Sequence, residues 1–147
     1  MSRTLGIDYG ERRVGVAISD PLGSIALGLT TLHVKSRRDA VMQVADICRE
    51  KDVSSIVVGM PLNMNGSGSE IGAKVEKFIA ELTETTGIAI KTVDERLSSA
   101  MVERTLLDAD MSRAKRKGVI DKMAAQVILQ GWLDRQAFAS DNDDLWG

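Results

Sequence analysis

The sequence predicts a single α/β domain with a five-stranded mixed sheet flanked by helices. Three short strand-like segments come first, and the turn signals between them are typical of an antiparallel meander. After residue 36 the apolar residues recur at helical spacing, and two short apolar strands alternate with the helices. Strands separated by helical crossovers pair in parallel. Together these patterns predict a meander extended by two parallel strands.

The first three strands are predicted from their apolar content and from the turns that separate them. Tyr9-Gly10-Glu11 forms the first turn signal, and Pro21 with Gly23 forms the second. The strands are expected at residues 4–8, 12–19 and 25–32. Their close spacing leaves no room for crossover helices, so each pair should be antiparallel.

The remaining elements follow from the change of period. Helices are expected at residues 36–51, 70–86, 98–108 and 119–137, and strands at 54–59 and 88–93. Ser67 with Glu70 resembles a capping box at the start of the second helix, and Gly87 is a C-cap signal at its end. The predicted inner stripe of that helix is Ile71, Val75, Phe78, Ile79 and Leu82. The last helix is expected to bury Ile120, Met123, Ala124, Val127, Ile128 and Gly131.

Length and composition limit the class of protein. The 147 residues fit one domain, predicted at 1–138, followed by an acidic, flexible tail at 139–147. A net charge of -2 excludes a generally basic nucleic-acid coat, so contact with a polyanion requires a local patch. Cys48 and His33 are the only residues of their types, which excludes disulfides and zinc sites built from several Cys or His. We expect a cytoplasmic protein without a leader or a membrane span.

Three carboxylates stand where chemistry can occur. Asp8 closes the first strand, Glu95 follows the last strand, and Asp121 opens the last helix beside its apolar face. Ligands of open α/β sheets gather at the carboxyl ends of the strands, so these three acids can converge on one pocket. Clustered carboxylates need a counter-charge, and Mg²⁺ prefers carboxylate oxygens. Taken singly, each acid is more often a turn former, a solvated charge or a partner of a helix dipole.

Four motifs, in order along the chain, resemble those of the YqgF/RuvX family. They are GIDYG at 6–10 with RVGVA at 13–17, VVGMPLN at 57–63, DERLS at 94–98, and DKMAA at 121–125 followed by Ile128 and Leu129. The resemblance covers residues 4–133. It implies the RNase H-like fold, which agrees with the predicted strand order.

The resemblance also implies a nuclease related to Holliday junction resolvases, whose bacterial members are linked to trimming the 5′ end of pre-16S ribosomal RNA. Asp8, Glu95 and Asp121 match the acidic positions of the family, which implies that they are catalytic and bind Mg²⁺ or Mn²⁺. Related resolvases often carry a fourth acid one helical turn after the last aspartate, where this chain has Ala124. The number of metal ions, one or two, is therefore open.

Polar and basic residues near these acids are candidates for contacts with nucleic acid. They are Asn63, Arg96, Arg113, Lys115, Arg116 and Lys117. Asn63 belongs to a loop rich in Gly, Ser and Asn, which can approach a phosphate or remain a flexible surface loop. The basic run at 113–117 can position a phosphate backbone or serve as a solvated connector.

The predicted function is hydrolysis of phosphodiester bonds in structured nucleic acid by a metal-dependent nuclease, with processing of the 5′ end of pre-16S rRNA in ribosome biogenesis favoured. The alternatives are a Holliday junction resolvase and a non-catalytic nucleic-acid-binding module. The expected partners are pre-16S rRNA or branched DNA and a pre-ribosomal particle, with no membrane. Monomer and homodimer both remain open.

Overall fold

The computed structural model describes residues 3–61, 68–94 and 113–146, and in the last of these segments it describes the side chains of 121–138. The described strands are β1 (Arg3–Asp8), β2 (Arg13–Ser19), β3 (Ala26–His33), β4 (Val53–Met60) and β5 (Ala89–Asp94). The described helices are α1 (Arg37–Glu50), α2 (Glu70–Thr86) and α3 (Arg113–Trp146). The helix predicted at 98–108 lies outside the described residues.

The five strands form one mixed sheet in the order β3-β2-β1-β4-β5. β1 pairs with β2, and β2 with β3, in antiparallel fashion. β4 lies parallel to both β1 and β5. This arrangement confirms the predicted meander with two parallel additions.

Each face of the sheet carries its own apolar core. On one face, Leu5 and Ile7 of β1 belong to a cluster that includes Val44 of α1 and Phe78 of α2. On the other face, the cluster combines four residues of the strands with four residues of α3, and its members are Ala17, Ala26, Val57, Val93, Ala125, Ile128, Leu129 and Leu133. Because side chains alternate along a strand, neighbouring positions point to opposite faces, one covered by α1 and α2 and the other by α3.

The N-cap of α2 differs from its prediction, although the helix starts where it was expected. The helix begins at Glu70, and its N-cap is Ser69, whose hydroxyl accepts from the Gly72 N–H at 2.9 Å. The prediction of Ser67 as the cap is therefore wrong, because the cap is the residue directly before the first helical turn. Ile71 is also 57% exposed instead of buried, since it faces a cleft and not the sheet.

The rest of α2 follows the sequence pattern. Val75, Phe78 and Leu82 are fully buried, as predicted. Gly87 ends the helix with a φ of 69°, in the left-handed region that favours glycine.

α3 is longer than predicted, and its buried stripe matches the prediction only in part. It starts at Arg113 and ends at Trp146, so the backbone of the basic run is helical and Asp121 lies inside the helix, not at its start as predicted. Ala124 and Ile128 are buried as predicted, but Val127 and Gly131 are only half-buried, and Ala125, Leu129 and Leu133 are buried instead. The buried stripe is displaced because Ala125 and Leu129 pack directly on Gly6 of β1. The separate acidic tail at 139–147 stays a prediction.

Two glycines allow α3 to approach the sheet closely. A Cβ at Gly6 would lie 2.6 Å from the Leu129 Cβ, and a Cβ at Gly15 would lie 1.8 Å from the main-chain oxygen of Asp121. Any side chain at Gly15 would therefore displace the helix. In the part of the chain that the structure describes, no helix combines the length and the apolar composition needed to cross a bilayer.

The contact at Gly15 generates a test of stability. Gly15→Ala should lower the free energy of unfolding by about 1–3 kcal/mol, because the added methyl group overpacks a contact with backbone. Gly131→Ala, in α3, is the matched control, since its Cβ would meet open space. That change should raise stability by up to about 1 kcal/mol through helix propensity. Urea denaturation measures both, and equal stability of the two variants would contradict the packing argument.

Candidate active-site cleft

A cleft of about 490 Å³ opens at the carboxyl end of β1. Its walls are Asp8 and the turn to β2 at 9–13, Gly59 and Pro61 after β4, Ile71 and Lys74 of α2, and Asp121 of α3. Both helix layers and the sheet edge therefore contribute to one depression. This is the position at which open α/β sheets collect ligands.

The sheet register brings two of the predicted acids together. Asp8 lies two residues after Gly6 on β1 and so points to the face covered by α3. Asp8 is paired with Gly15 of β2, and Gly15 packs against the backbone of Asp121. The two carboxylates are thus neighbours across one glycine, although 113 positions separate them in the sequence.

Arg13 supplies a positive charge beside this pair of acids. Its Nε donates to Oδ2 of Asp121 at 2.8 Å. The side chains are 32% and 19% exposed, so the pair is partly shielded from water. The guanidinium offsets part of the repulsion between Asp121 and Asp8.

The turn from β1 to β2 is held in a defined shape. The Tyr9 ring stacks on Phe78 of the core, with centroids 4.4 Å apart. Burial is the main cause that raises the pKa of the Tyr9 hydroxyl, while the charge of Arg37 opposes it. A Cβ at Gly10 would lie 2.5 Å from the main-chain oxygen of Arg13, so the tight turn requires glycine. This packing holds Asp8 and Arg13 at fixed positions.

Lys74 of α2 closes the other side of the cleft. It forms an ion pair with Glu11, and their hydrogen bond lowers the pKa of the Glu11 carboxyl and raises that of the Lys74 ammonium. Ser69 fastens the same end of α2 to the sheet by donating to the Pro61 carbonyl at 2.6 Å. Sequence reasoning missed Lys74, because no local signal links it to a turn 63 positions earlier.

The structure describes two of the three predicted acids. Asp8 and Asp121 line the cleft, whereas Glu95 lies outside the described residues. Asp94, directly before it, is paired with Met60, so β5 ends beside the end of β4. Among residues 3–61, 68–94 and 121–138, no three His, Cys, Asp or Glu form a group that could hold a metal ion. Ala124, at the position of the fourth acid of related resolvases, is 3% exposed and supplies no carboxylate.

The residues predicted to contact nucleic acid have side chains outside the described part of the chain. Asn63 and Arg96 lie outside the described residues. The basic positions are in the first turns of α3, but their side chains also lie outside the described part; they are Arg113, Lys115, Arg116 and Lys117. All six stay predictions.

Comparison with known protein families shows to which family the chain belongs. Residues 2–135 match RuvX: Holliday junction resolvase. The chain belongs to the RuvX family. It is 48% identical to a "Putative pre-16S rRNA nuclease" of Clostridium novyi over 90% of this chain and 98% of that protein. It is 49% identical to a protein of the same name from Desulforamulus reducens, over 92% and 98% of the two chains.

Two solved structures have a fold similar to that of this RuvX chain. T. thermophilus RuvC in complex with Holliday junction substrate matches it with a TM-score of 0.59 at 10% identity, over 93% of this chain and 96% of RuvC. The fowlpox virus Holliday junction resolvase matches with a TM-score of 0.56 at 9% identity, over 90% and 99%. Identities this low establish the fold alone. The fold is the RNase H-like fold of these resolvases, as expected.

The pair of Arg13 and Asp121 can be measured by a double-mutant cycle. Arg13→Gln, Asp121→Asn and the double variant should give a favourable coupling energy of about 0.5–1 kcal/mol, because the pair is only partly exposed. The ion pair of Arg49 and Asp46, which is exposed on α1, serves as the control and should couple weakly. A coupling in the cleft no larger than that of the control would show that Arg13 does not stabilise the Asp121 carboxylate.

Proposed function

We propose that this RuvX protein hydrolyses phosphodiester bonds in structured nucleic acid and that the cleft at Asp8 is its active site. The observation that carries the proposal is the meeting of Asp8 and Asp121 in one open cleft with Arg13 as a counter-charge. The family and the named nucleases, nearly half identical over almost their whole length, support the same activity.

The residues of the cleft fit a divalent cation. Carboxylate oxygens are the ligands that Mg²⁺ and Mn²⁺ prefer, and two are supplied by separate elements on the same face of the sheet. We propose Glu95, next after the end of β5, as the third ligand beside Asp8 and Asp121. A bound ion would activate water and stabilise the leaving oxygen. Ala124 removes one ligand position, so we expect at least one of two ions to bind weakly.

The chain itself performs the remaining tasks. The stacked Tyr9 and the tight turn at Gly10 fix the direction of Asp8, and the packing at Gly15 fixes the backbone of Asp121. Arg13 orients the Asp121 carboxylate through its hydrogen bond. Such fixed geometry is what phosphodiester hydrolysis requires, because positioning and charge stabilisation supply most of the catalysis.

The favoured substrate is the 5′ end of pre-16S rRNA, because both curated relatives carry that name. The expected setting is the cytoplasm, on a pre-ribosomal particle. The second candidate is a Holliday junction, which the family description favours. We assign the backbone contacts flanking the cleft to the predicted polar and basic residues, which are Asn63, Arg96, Arg113, Lys115, Arg116 and Lys117.

A cleavage assay tests the proposal. Purified protein is offered a pre-16S rRNA 5′ fragment and a four-way DNA junction in Mg²⁺ or Mn²⁺. Wild type should cleave the RNA, EDTA should abolish cleavage, and Asp8→Asn should lower the rate at least about a hundredfold through loss of a metal-binding charge. Glu84→Gln, which removes one exposed carboxylate of α2, should cleave as the wild type does.

The outcomes separate the candidates. Symmetric cutting of the junction without cleavage of the RNA would reassign the protein to junction resolution. Binding of either nucleic acid without cleavage in both metals would favour a non-catalytic module. An Asp8→Asn variant that cleaves at the wild-type rate would remove the cleft from the reaction.

A further inference from the structure

We propose that a second groove, adjoining the active-site cleft, binds the phosphodiester backbone of the substrate to one side of the cleavage position. This inference rests on the proposed function and adds residues that the sequence motifs do not contain. The groove has a volume of about 370 Å³. It is lined by Tyr9, Glu11, Lys35, Ser36, Arg37, Lys74 and Lys77. We call it the basic groove.

The basic groove adjoins the cleft. Tyr9, Glu11 and Lys74 line both depressions and form the boundary between them. If the reacting phosphate of a nucleic-acid strand lies at Asp8, the nucleotides on one side of that phosphate therefore lie in the basic groove. The floor at this junction is rigid, because the Tyr9 ring is stacked on Phe78.

The charge of the basic groove differs from that of the cleft. Four of its seven lining residues are cationic, and Glu11 is the only acidic one. The cleft, by contrast, has three acids, Asp8, Glu11 and Asp121, balanced by three cations. Because the whole chain has a net charge of -2, the cations of the groove are a local concentration. A local basic patch beside a site with paired carboxylates is what a polyanionic substrate requires.

Two of the cations are available to a ligand. Lys35 and Lys77 are exposed, and neither forms an ion pair with any residue that the structure describes. Lys35 does lie near Asp39, which accepts from its main-chain N–H at 2.9 Å. Arg37 is partly neutralised by Glu81, at 3.3 Å from its Nε. Lys35 and Lys77 are therefore the side chains expected to contact phosphates most directly.

The ion pair of Glu11 and Lys74 lies where the two depressions meet. Both side chains are more than half exposed, and such surface pairs are weak. A phosphate can therefore replace the Glu11 carboxylate as the partner of Lys74. Glu11 then acts as an electrostatic competitor that lowers the affinity of the groove for nucleic acid.

The first experiment measures the salt dependence of binding. Lys35→Gln with Lys77→Gln is made in an Asp8→Asn background, and anisotropy with a labelled pre-16S rRNA 5′ fragment gives the Kd over a series of KCl concentrations. Each lost phosphate contact should reduce the slope of log K against log salt by about 0.7 on a single strand. We expect a reduction of about 1.4 and an affinity about tenfold lower at low salt.

The control removes the same charge elsewhere. Arg49→Gln with Lys51→Gln lies at the opposite end of α1 from Ser36, about 20 Å away along the helix. This pair should leave the slope unchanged. Equal losses in the two double variants, or no loss in the first, would overturn the assignment of the groove. Thermal unfolding checks that all variants are folded.

The second experiment tests the competitor. Glu11→Gln should raise the affinity severalfold by freeing Lys74, whereas Glu84→Gln, which removes the same charge at the far end of α2, should not. Lower or unchanged affinity in Glu11→Gln would contradict the role of Glu11.

If Lys35→Gln with Lys77→Gln, carrying an intact Asp8, cleaves and binds as the wild type does, the groove proposal fails while the nuclease proposal stands. If the wild type cleaves neither substrate, the nuclease proposal fails, and the salt slopes still report on the groove.

Discussion

The close packing of α3 on the sheet is the constraint on which the site depends. At Gly6 and Gly15 the helix lies so near β1 and β2 that an added Cβ would collide with it. Gly15 is also the register partner of Asp8, and it contacts the backbone of Asp121. One small residue therefore sets the separation of two acids from distant parts of the chain. A side chain there would move the helix and, with it, the carboxylate.

The second organising factor is the arrangement of charge at the edge of the sheet. Asp121, which lines the cleft with Asp8, pairs with Arg13, and this guanidinium offsets part of the negative charge before any cation binds. A few residues away, the cations exceed the acids around Lys35 and Lys77. The paired carboxylates of the cleft can hold a cation, and the basic groove can hold phosphates. Their adjacency allows one substrate to use both.

Different signals in the sequence predicted the sheet and the candidate acids. The order of the elements along the chain and the mixed sheet followed from turn signals and from the change of hydrophobic period, and the structure confirms them. Asp8 was predicted from its place at the end of β1. Asp121 was predicted from its place at a helix start, but the structure starts that helix at Arg113. Gly6 and Gly15 carried a signal that was not used, since glycine inside a strand often marks a close backbone approach. No sequence signal pointed to Lys74, because its contact with Glu11 depends on how α2 packs over the turn between β1 and β2.

The sequence by itself determined the elements, their order and the identity of the candidate acids, because these depend on local periodicity, turns and motif spacing. Only the tertiary structure decided the full set of α3 positions that are buried, which serine caps α2, and which residues share the walls of the cleft. Those outcomes depend on packing between segments far apart in the chain, such as Leu129 on Gly6 and Ser69 on Pro61. Local sequence patterns do not encode contacts between such distant segments, so the cleft and the basic groove could be identified only from the tertiary structure.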